Sequence, residues 1–253
     1  QFTSANLINS IYTEGRSLVI GKFYSSADLA FFNRGNQFPA LIVGNLNTPI
    51  SNVMLPLMAE KKDSQNALKS VLRKAMQLSA YLVFPMMGIL AACARPLVLV
   101  LLGGKWVECV PYLQVACLFY LFQPLQSMNW QALKAAGQGA LCFKLEVIKK
   151  AISFIVLIMS IPFGVFAISL SSAFCGFVSM LINMTPNKKV LGYGIFEQLI
   201  DVLKPSIATL LSVVIALLLI RISNGNLISL IVAPLGSLGF YIVLSKLMNV
   251  EGF

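Results

Sequence analysis

The chain has 253 residues, of which 58% are apolar and only 11% are charged, and its mean hydropathy is +0.83. A soluble globular domain carries about 25% charged residues, and so few charges would leave large apolar patches facing water. Histidine is absent, which excludes histidine-based catalysis and histidine metal sites. The composition argues against a soluble enzyme, a disordered chain and a small disulfide scaffold, and it indicates an α-helical integral membrane protein.

The formal net charge of +10 would suggest nucleic acid as the partner of a soluble protein. In a membrane protein, loop lysines are more simply a topology signal, so we expect no nucleic-acid partner. The five cysteines form no C-x-x-C pair and have apolar neighbours, which predicts buried small hydrophobes without metal or cofactor. The chain begins at Gln1 inside a segment with a structured pattern, and we expect a fragment.

The first two predicted helices, residues 4–23 and 27–59, are apolar but interspersed with polar side chains. The second contains Pro39, Pro49 and Pro56. A helix of this length would reach about 50 Å, whereas the hydrocarbon core is about 30 Å thick. We therefore expect the second helix to tilt, to bend near Pro39, Gly44 and Pro49, or to protrude.

Charge-free windows predict the remaining spans, because about 20 apolar residues cross a bilayer. A tight turn at residues 161–164 divides one long window into two helices, the first beginning near Leu141. The longest outer loop is residues 95–108. The windows are residues 75–94, 109–133, 151–187, 205–220 and 222–245. The predicted fold class is all-α, a polytopic membrane helix bundle of about eight transmembrane helices.

If successive loops lie on alternate sides of the membrane, the lysines and arginines are divided unequally between the two sides. With the loop after the second helix inside, thirteen cations lie inside and four outside, as the positive-inside rule requires. Both ends of the fragment are then predicted to be cytoplasmic. The inner set is Lys61, Lys62, Lys69, Arg73, Lys74, Lys134, Lys144, Lys149, Lys150, Lys188, Lys189, Lys204 and Lys246, and the outer set is Lys22, Arg95, Lys105 and Arg221.

Arg16 and Arg34 are the two cations inside proposed spans, and a cation there needs a partner or a hydrated cavity. At helical spacing, each shares a face with other polar residues, and the second set falls within about 80° of arc. We predict that the two stripes line a cationic cavity that binds substrate. The stripes comprise Asn9, Thr13 and Arg16 on the first helix, and Arg34, Gln37, Asn45, Thr48 and Asn52 on the second.

An alternative is that each arginine snorkels to the interface or forms a structural ion pair with Glu14 or Asp28. If the cavity interpretation holds, its ligand is phosphate or an acidic sugar, since guanidinium binds oxyanions bidentately and stays charged.

Other polar residues of the spans are interpreted as structural. Asn129, Gln131 and Gln138 are expected to form hydrogen bonds between helices rather than to bind ligands. Glu146 is expected to pair with Lys149 or Lys150 at the interface. Trp106 and Tyr112 flank a span as aromatic-belt residues do.

Several segments, in this order and spacing, resemble one family over nearly the whole chain. They are residues 16–22 (RSLVIGK), 33–43 (NRGNQFPALIV), 101–113 (LLGGKWVECVPYL), 129–137 (NWQALKAAG), 144–150 (KLEVIKK) and 186–189 (PNKK). The chain is similar to the Wzx-type oligosaccharide flippases of lipopolysaccharide and capsule biosynthesis, in the multidrug/oligosaccharidyl-lipid/polysaccharide exporter superfamily.

The resemblance implies twelve to fourteen spans in two pseudo-symmetric bundles. Residues 1–190 would form the second six-helix bundle, and residues 191–253 would form two additional transmembrane helices. The first bundle would be missing from this fragment. It implies transport of undecaprenyl-pyrophosphate-linked oligosaccharide across the bacterial inner membrane by alternating access through a cationic cavity. The implied partners are that lipid-linked oligosaccharide, membrane lipids and the missing N-terminal bundle, with no cofactor.

Other functions stay open. A drug/cation antiporter or lipid II flippase of the same superfamily is one alternative, although an antiporter needs buried carboxylates and only Glu14 and Asp28 come close. A membrane-embedded glycan polymerase, ligase or phosphatase would need a concentrated catalytic loop, and the 95–108 loop holds one carboxylate. We therefore predict a transporter, not an enzyme.

Overall fold

A computed structural model describes residues 15–222 and 227–248, except for the side chains of 227–229, and every regular element in these residues is helical. The helices are α1 (residues 15–23), α2 (Ser26–Glu60), α3 (Gln65–Ala92), α4 (Ala94–Leu101), α5 (Val110–Ala135), α6 (Gly139–Ser160), α7 (Val165–Met184), α8 (Asn187–Leu191), α9 (Ile195–Asp201), α10 (Leu203–Ile222) and α11 (Leu227–Leu247). Short 3-10 turns cover Gly104–Cys109 and Ile161–Phe163.

Local sequence signals define several of the helix ends. Ser25 caps α2 through a reciprocal capping box with Asp28, which satisfies backbone donors at the helix start. Ser64 caps α3 by accepting a hydrogen bond from the Ala67 backbone N–H. The predicted turn at residues 161–164 is confirmed, and Gly164 closes it with φ +95°, a conformation that favours glycine.

The long helix α5 is the centre of the bundle, with α2, α3 and α7 packed around it. α6 packs on α7, while α10 and α11 pair with each other and rest against α3. One apolar core joins Met58, Leu72, Met128 and Met184 near one end of the bundle. A second core lies nearer the other end, around Val43, Val83, Val98 and Leu113.

Within the part of the chain that the structure describes, four stretches are long and apolar enough to cross a membrane: Gln65–Ala92, Val165–Leu191, Leu203–Ile222 and Leu230–Leu247. Helices α2, α5 and α6 have 35, 26 and 22 residues, sufficient for the hydrocarbon core by length, but their composition is more polar. Large apolar side chains such as Phe154, Leu170 and Leu210 are exposed on the outer helices, where lipid would cover them. The all-α membrane bundle is confirmed, and most of the predicted first span lies outside the described residues.

Contacts between the segments that connect the helices place these segments at two opposite ends of the bundle. This agrees with the prediction that successive loops lie on alternate sides of the membrane. At one end, the Lys69 ammonium donates to the Gly192 carbonyl at 2.8 Å, which joins the start of α3 to the α8–α9 connection. At the other end, the Tyr24 hydroxyl contacts the Ile161 carbonyl and accepts from the Gly164 N–H at 3.1 Å. We name these the lysine-rich end and the Tyr24 end.

The structure differs from the sequence-based expectations in one place. The predicted outer loop, residues 95–108, is largely helical, because α4 and the following 3-10 turn fold back on α5. The three prolines of α2 do not interrupt it, since the helix runs from Ser26 to Glu60. Membrane helices tolerate proline when neighbouring groups satisfy the freed backbone atoms. The expected bend and the division at residue 190 stay predictions.

Candidate functional site

Arg34 lies in the third turn of α2, beside an open groove near the Tyr24 end. Its Nη1 atom donates to Oε1 of Gln37 at 2.7 Å, a neighbour one turn along the helix. Its guanidinium carbon lies 5.0 Å from the centroid of the Trp106 ring, within cation–π range. The groove has a volume of about 500 Å³ and is lined by Ala30, Asn33, Arg34, Asn36, Gln37, Ala40 and Trp106.

Gly35 determines how closely α2 approaches the segment that carries Trp106. A Cβ atom at Gly35 would lie 2.7 Å from Tyr112 Cβ and 2.8 Å from the Leu113 backbone nitrogen. Only glycine permits this approach without a shift of the α5 backbone. Arg34 therefore sits next to a close helix contact, and the neighbouring 3-10 turn places Trp106 over its guanidinium.

The rest of the predicted α2 stripe is exposed along the same helix. Gln37, Asn45, Thr48 and Asn52 are all exposed, while Val43 on the opposite face is buried in the bundle core. The structure thus leaves these polar side chains uncovered on one face of α2, which also exposes Leu41. This face and the groove around Arg34 are continuous through Gln37.

Arg16 has a different environment. Its Nη2 atom donates to Oγ of Ser153 on α6 at 3.2 Å, and its Nε is buried without a hydrogen-bond partner. The groove lining at Arg34 does not include Arg16. Asn9 and Thr13, predicted to share its face, lie outside the described residues, so the first stripe stays a prediction.

The structural ion-pair alternative for Arg34 would require the Asp28 carboxylate. That carboxylate instead accepts from the Ser25 hydroxyl at 2.7 Å and from the Ser25 N–H at 3.3 Å. Within residues 15–222 and 227–248, the salt bridges are Lys69–Glu197, Arg73–Asp201 and Glu146–Lys149. Asp28 therefore serves the helix cap, and Glu14, the proposed partner of Arg16, lies outside the described residues.

Two structural interpretations of polar residues are confirmed. The Asn187 Nδ2 atom donates to Asn129 Oδ1 at 2.6 Å, so Asn129 bridges α5 and α8 inside the bundle. Glu146 pairs with Lys149 at 2.8 Å. Gln131, by contrast, bonds Ser127 at 3.4 Å within its own helix.

Sequence reasoning missed the role of Trp106, which was interpreted as an aromatic-belt residue. Its ring also packs edge-on against Phe31, with ring centroids 5.9 Å apart. No local pattern connects it with Arg34, because the two lie on elements that meet only in the folded bundle.

Sequence reasoning also missed a polar latch at the lysine-rich end, formed by Lys69, Arg73, Tyr193, Glu197 and Asp201. Arg73 and the Tyr193 hydroxyl both contact the Asp201 carboxylate at 2.5 Å, and the side chain of Asp201 is only 6% exposed. Burial, reinforced by the hydrogen bond to Asp201, raises the pKa of Tyr193 far above its ordinary value near 10. The latch holds the start of α3 to the segment that leads into α10.

Known proteins share both sequence and fold with this chain. The family described as "Polysaccharide biosynthesis protein" matches residues 1–111. The teichuronic acid biosynthesis protein TuaB of Bacillus subtilis is 24% identical over 140 residues, 55% of this chain and 29% of that protein. The lipopolysaccharide biosynthesis protein WzxC of Escherichia coli is 23% identical over 147 residues, 58% of this chain and 30% of that protein.

A third relative is the succinoglycan biosynthesis transport protein ExoT of Rhizobium meliloti, 25% identical over 139 residues, 55% of this chain and 28% of that protein. Among solved structures, the lipid II flippase MurJ in its inward closed conformation matches with a TM-score of 0.78 at 15% identity, covering 95% of this chain and 52% of that one. The aligned part of each curated relative is less than a third of its length. The predicted resemblance to polysaccharide-biosynthesis proteins is confirmed, and the chain shares the fold of the solved MurJ structure.

Proposed function

We propose that this chain, a relative of the polysaccharide-biosynthesis membrane proteins with the fold of a lipid flippase, forms one half of a transporter for lipid-linked oligosaccharide. The curated relatives act in teichuronic acid, succinoglycan and lipopolysaccharide biosynthesis, by their names. The proposed substrate is an undecaprenyl-pyrophosphate-linked oligosaccharide, and the proposed location is the bacterial inner membrane, with both ends of the chain cytoplasmic. The proposed partner is the other bundle of the same protein.

The observation that carries this proposal is the uncovered face of α2, on which Arg34 is the residue of the polar stripe nearest the start of the helix. The opposite face of α2 packs on α5 and α3, so the bundle itself leaves Arg34, Gln37, Asn45 and Asn52 open. A lipid-facing helix would not expose such a stripe, because polar side chains in hydrocarbon are costly. The other half of the transporter would cover this face, and a hydrated cavity would lie between the halves.

The chemistry of the groove suits a diphosphate. Guanidinium carries five N–H donors, and one of those of Arg34 is used by Gln37. The remaining donors have no protein acceptor among the described residues and are available for oxyanion contacts. Contact with Trp106 limits the rotation of the guanidinium, so less conformational entropy is lost when a ligand binds. Exposed amides further along α2 are suited to sugar hydroxyls.

We infer a transport mechanism without covalent chemistry, in which the two halves rock about the cavity. A phosphate-bearing headgroup would bind while the cavity is open to one side, and closure on that side would accompany opening on the other. Arg34 would offset one of the negative charges of the diphosphate during passage. The antiporter alternative needs a carboxylate exposed to the cavity, whereas Asp28 is engaged in the α2 cap.

The test is transport by the full-length protein in proteoliposomes loaded with fluorescent lipid-linked oligosaccharide. Arg34→Ala should abolish flipping while leaving protein abundance intact, and Arg34→Lys should restore only part of it, because an ammonium cannot form the bidentate fork. Lys105→Ala is the matched control, since Lys105 is an exposed cation beside Trp106 that does not line the groove. Normal flipping by Arg34→Ala would refute the proposal.

A further inference from the structure

A second cavity lies at the lysine-rich end, where the α2–α3 and α5–α6 turns meet. Its volume is about 740 Å³, within the range of pockets that bind small molecules. By the rise of 1.5 Å per residue, Ala59 is about 37 Å along α2 from Arg34. One phosphate group cannot reach both sites at once. The cavity is lined by Leu55, Ala59, Lys62, Asp63, Lys134, Ala135, Ala136 and Gly137.

The cavity carries unneutralised positive charge. Lys62 and Lys134 are both exposed, and neither belongs to a salt bridge of the described residues. Asp63 is the single acidic side chain of the lining. Two lysines and one aspartate leave a net charge of +1 in the wall, so the cavity is suited to an anion.

Lys134, which lines the cavity, also contacts the aromatic ring of Trp130. The Lys134 ammonium lies 5.6 Å from the centroid of the Trp130 ring, and the Lys149 ammonium lies 4.6 Å from the same ring. Glu146 neutralises Lys149 through the 2.8 Å ion pair. Lys134 therefore contributes the available charge of this cluster, in an orientation supported by the aromatic face.

The remaining walls are apolar, which points to an amphipathic ligand. Leu55 and Ala59 come from the end of α2, and Ala135 and Ala136 from the end of α5. Both helices end here, next to the lysine-bearing turns. A cavity with cations at its rim and apolar walls, placed at a membrane surface, matches the interfacial region of a lipid.

We propose that this cavity binds the phosphate of an anionic lipid headgroup, at a site separate from the Arg34 groove. Lys62 and Lys134 contact the phosphate oxygens, and the alanine and leucine walls accommodate the adjoining apolar portion of the lipid. The phosphate comes either from an acidic membrane phospholipid or from the diphosphate of a polyprenyl carrier. The inference does not depend on the proposed transport function.

Native mass spectrometry of the purified full-length protein tests the proposal with phosphatidylglycerol and undecaprenyl diphosphate as separate probes and phosphatidylcholine as the zwitterionic reference. Lys62→Gln and Lys134→Gln should each weaken binding of the anionic probe about fivefold, and the double variant about 25-fold. The matched control is Lys61→Gln with Lys189→Gln, two exposed lysines at the same end that do not line the cavity. It should change binding less than about twofold.

Asp63→Asn removes a negative charge from the cavity wall instead of a positive one. It should therefore strengthen the binding of the anionic lipid probes. A loss limited to phosphatidylglycerol assigns the site to membrane phospholipid, and a loss limited to undecaprenyl diphosphate assigns it to the carrier. Equal losses in the control and the cavity variants, or no loss with either probe, would overturn the proposal.

Discussion

The guanidinium of Arg34 lies over the indole ring of Trp106, with 5.0 Å between the guanidinium carbon and the ring centroid. This contact joins the beginning of α2 to the 3-10 turn that precedes α5. Gln37 orients the guanidinium from the same helix at 2.7 Å. A cation held between an aromatic face and a neighbouring amide is positioned before its ligand arrives.

Replacement of Trp106 should weaken transport without affecting abundance. A cation–π contact contributes about 0.5–2 kcal/mol, so Trp106→Ala should lower the flipping rate roughly 2- to 30-fold. Trp106→Phe should retain more activity than Trp106→Ala, because a smaller ring still attracts the guanidinium. The proteoliposome assay measures both. Wild-type flipping by Trp106→Ala would show that the ring does not support Arg34.

Two glycines of α2 should respond oppositely to alanine. A Cβ at Gly35 meets the α5 backbone at 2.8 Å, whereas a Cβ at Gly44 meets nothing within 4 Å. Gly35→Ala should therefore destabilise the protein by about 1–3 kcal/mol. Gly44→Ala should be neutral or stabilising by about 0.5–1 kcal/mol, since glycine is unfavourable inside a helix. Thermal unfolding in detergent measures both, and equal effects would contradict the close α2–α5 contact.

The latch at Tyr193 should make the free energy of unfolding of the protein fall at alkaline pH. The pKa of Tyr193 is raised by burial and by its hydrogen bond to Asp201, so the folded state retains the proton that the unfolded state releases near pH 10. The contribution is fully present below pH 10 and is lost as the pH rises above it. Tyr193→Phe should lower the unfolding temperature at pH 8, and the difference from wild type should shrink towards pH 11.

Asp201→Asn provides the companion measurement for the latch. It removes the negative charge that pairs with Arg73, and it leaves one oxygen where Arg73 and Tyr193 each have a carboxylate oxygen of their own. Asp201→Asn should therefore destabilise the protein more than Tyr193→Phe does at pH 8. Parallel pH profiles for wild type and Tyr193→Phe would show that Tyr193 does not contribute to the alkaline dependence.

We predict that Arg16 binds the transported headgroup, in addition to its contact with Ser153 on α6. Arg16→Ala should reduce flipping, and Arg16→Lys should restore it partly, for the same geometric reason as at Arg34. Ser153→Ala, which removes the hydroxyl acceptor at 3.2 Å, is the matched control and should leave flipping near wild type. A purely structural role would instead appear as equal loss of abundance in Arg16→Ala and Ser153→Ala.

The orientation in the membrane can be tested with single cysteines. The positive-inside rule predicts that Lys61 and Lys188 are cytoplasmic and that Lys105 and Asn224 face outward; Asn224 lies outside the described residues. In a cysteine-free full-length background, an impermeant maleimide on intact cells should label Lys105→Cys and not Lys61→Cys or Lys188→Cys. All three should react after permeabilisation. Labelling of position 61 in intact cells would reverse the orientation.

Local sequence patterns predict the membrane class, most of the long helices and the division of the connections between two ends of the bundle. Hydropathy, charge placement and capping act over one or two helical turns, so local patterns such as Ser25–Asp28 and the 161–164 turn are readable from sequence. The uncovered stripe of α2 was also readable, because its members lie on one helix at regular spacing.

Which helices are neighbours, and therefore which side chains meet, is visible only in the folded bundle. Arg34 meets Trp106 because Gly35 permits close packing of α2 on α5, and Arg16 meets Ser153 across 137 residues of chain. The latch joins Arg73 to Asp201 across 128 residues, and the Lys62–Lys134 cavity forms where two helix ends converge. Such pairings depend on the packing of helix faces against one another, and many arrangements of the same helices satisfy one hydropathy pattern.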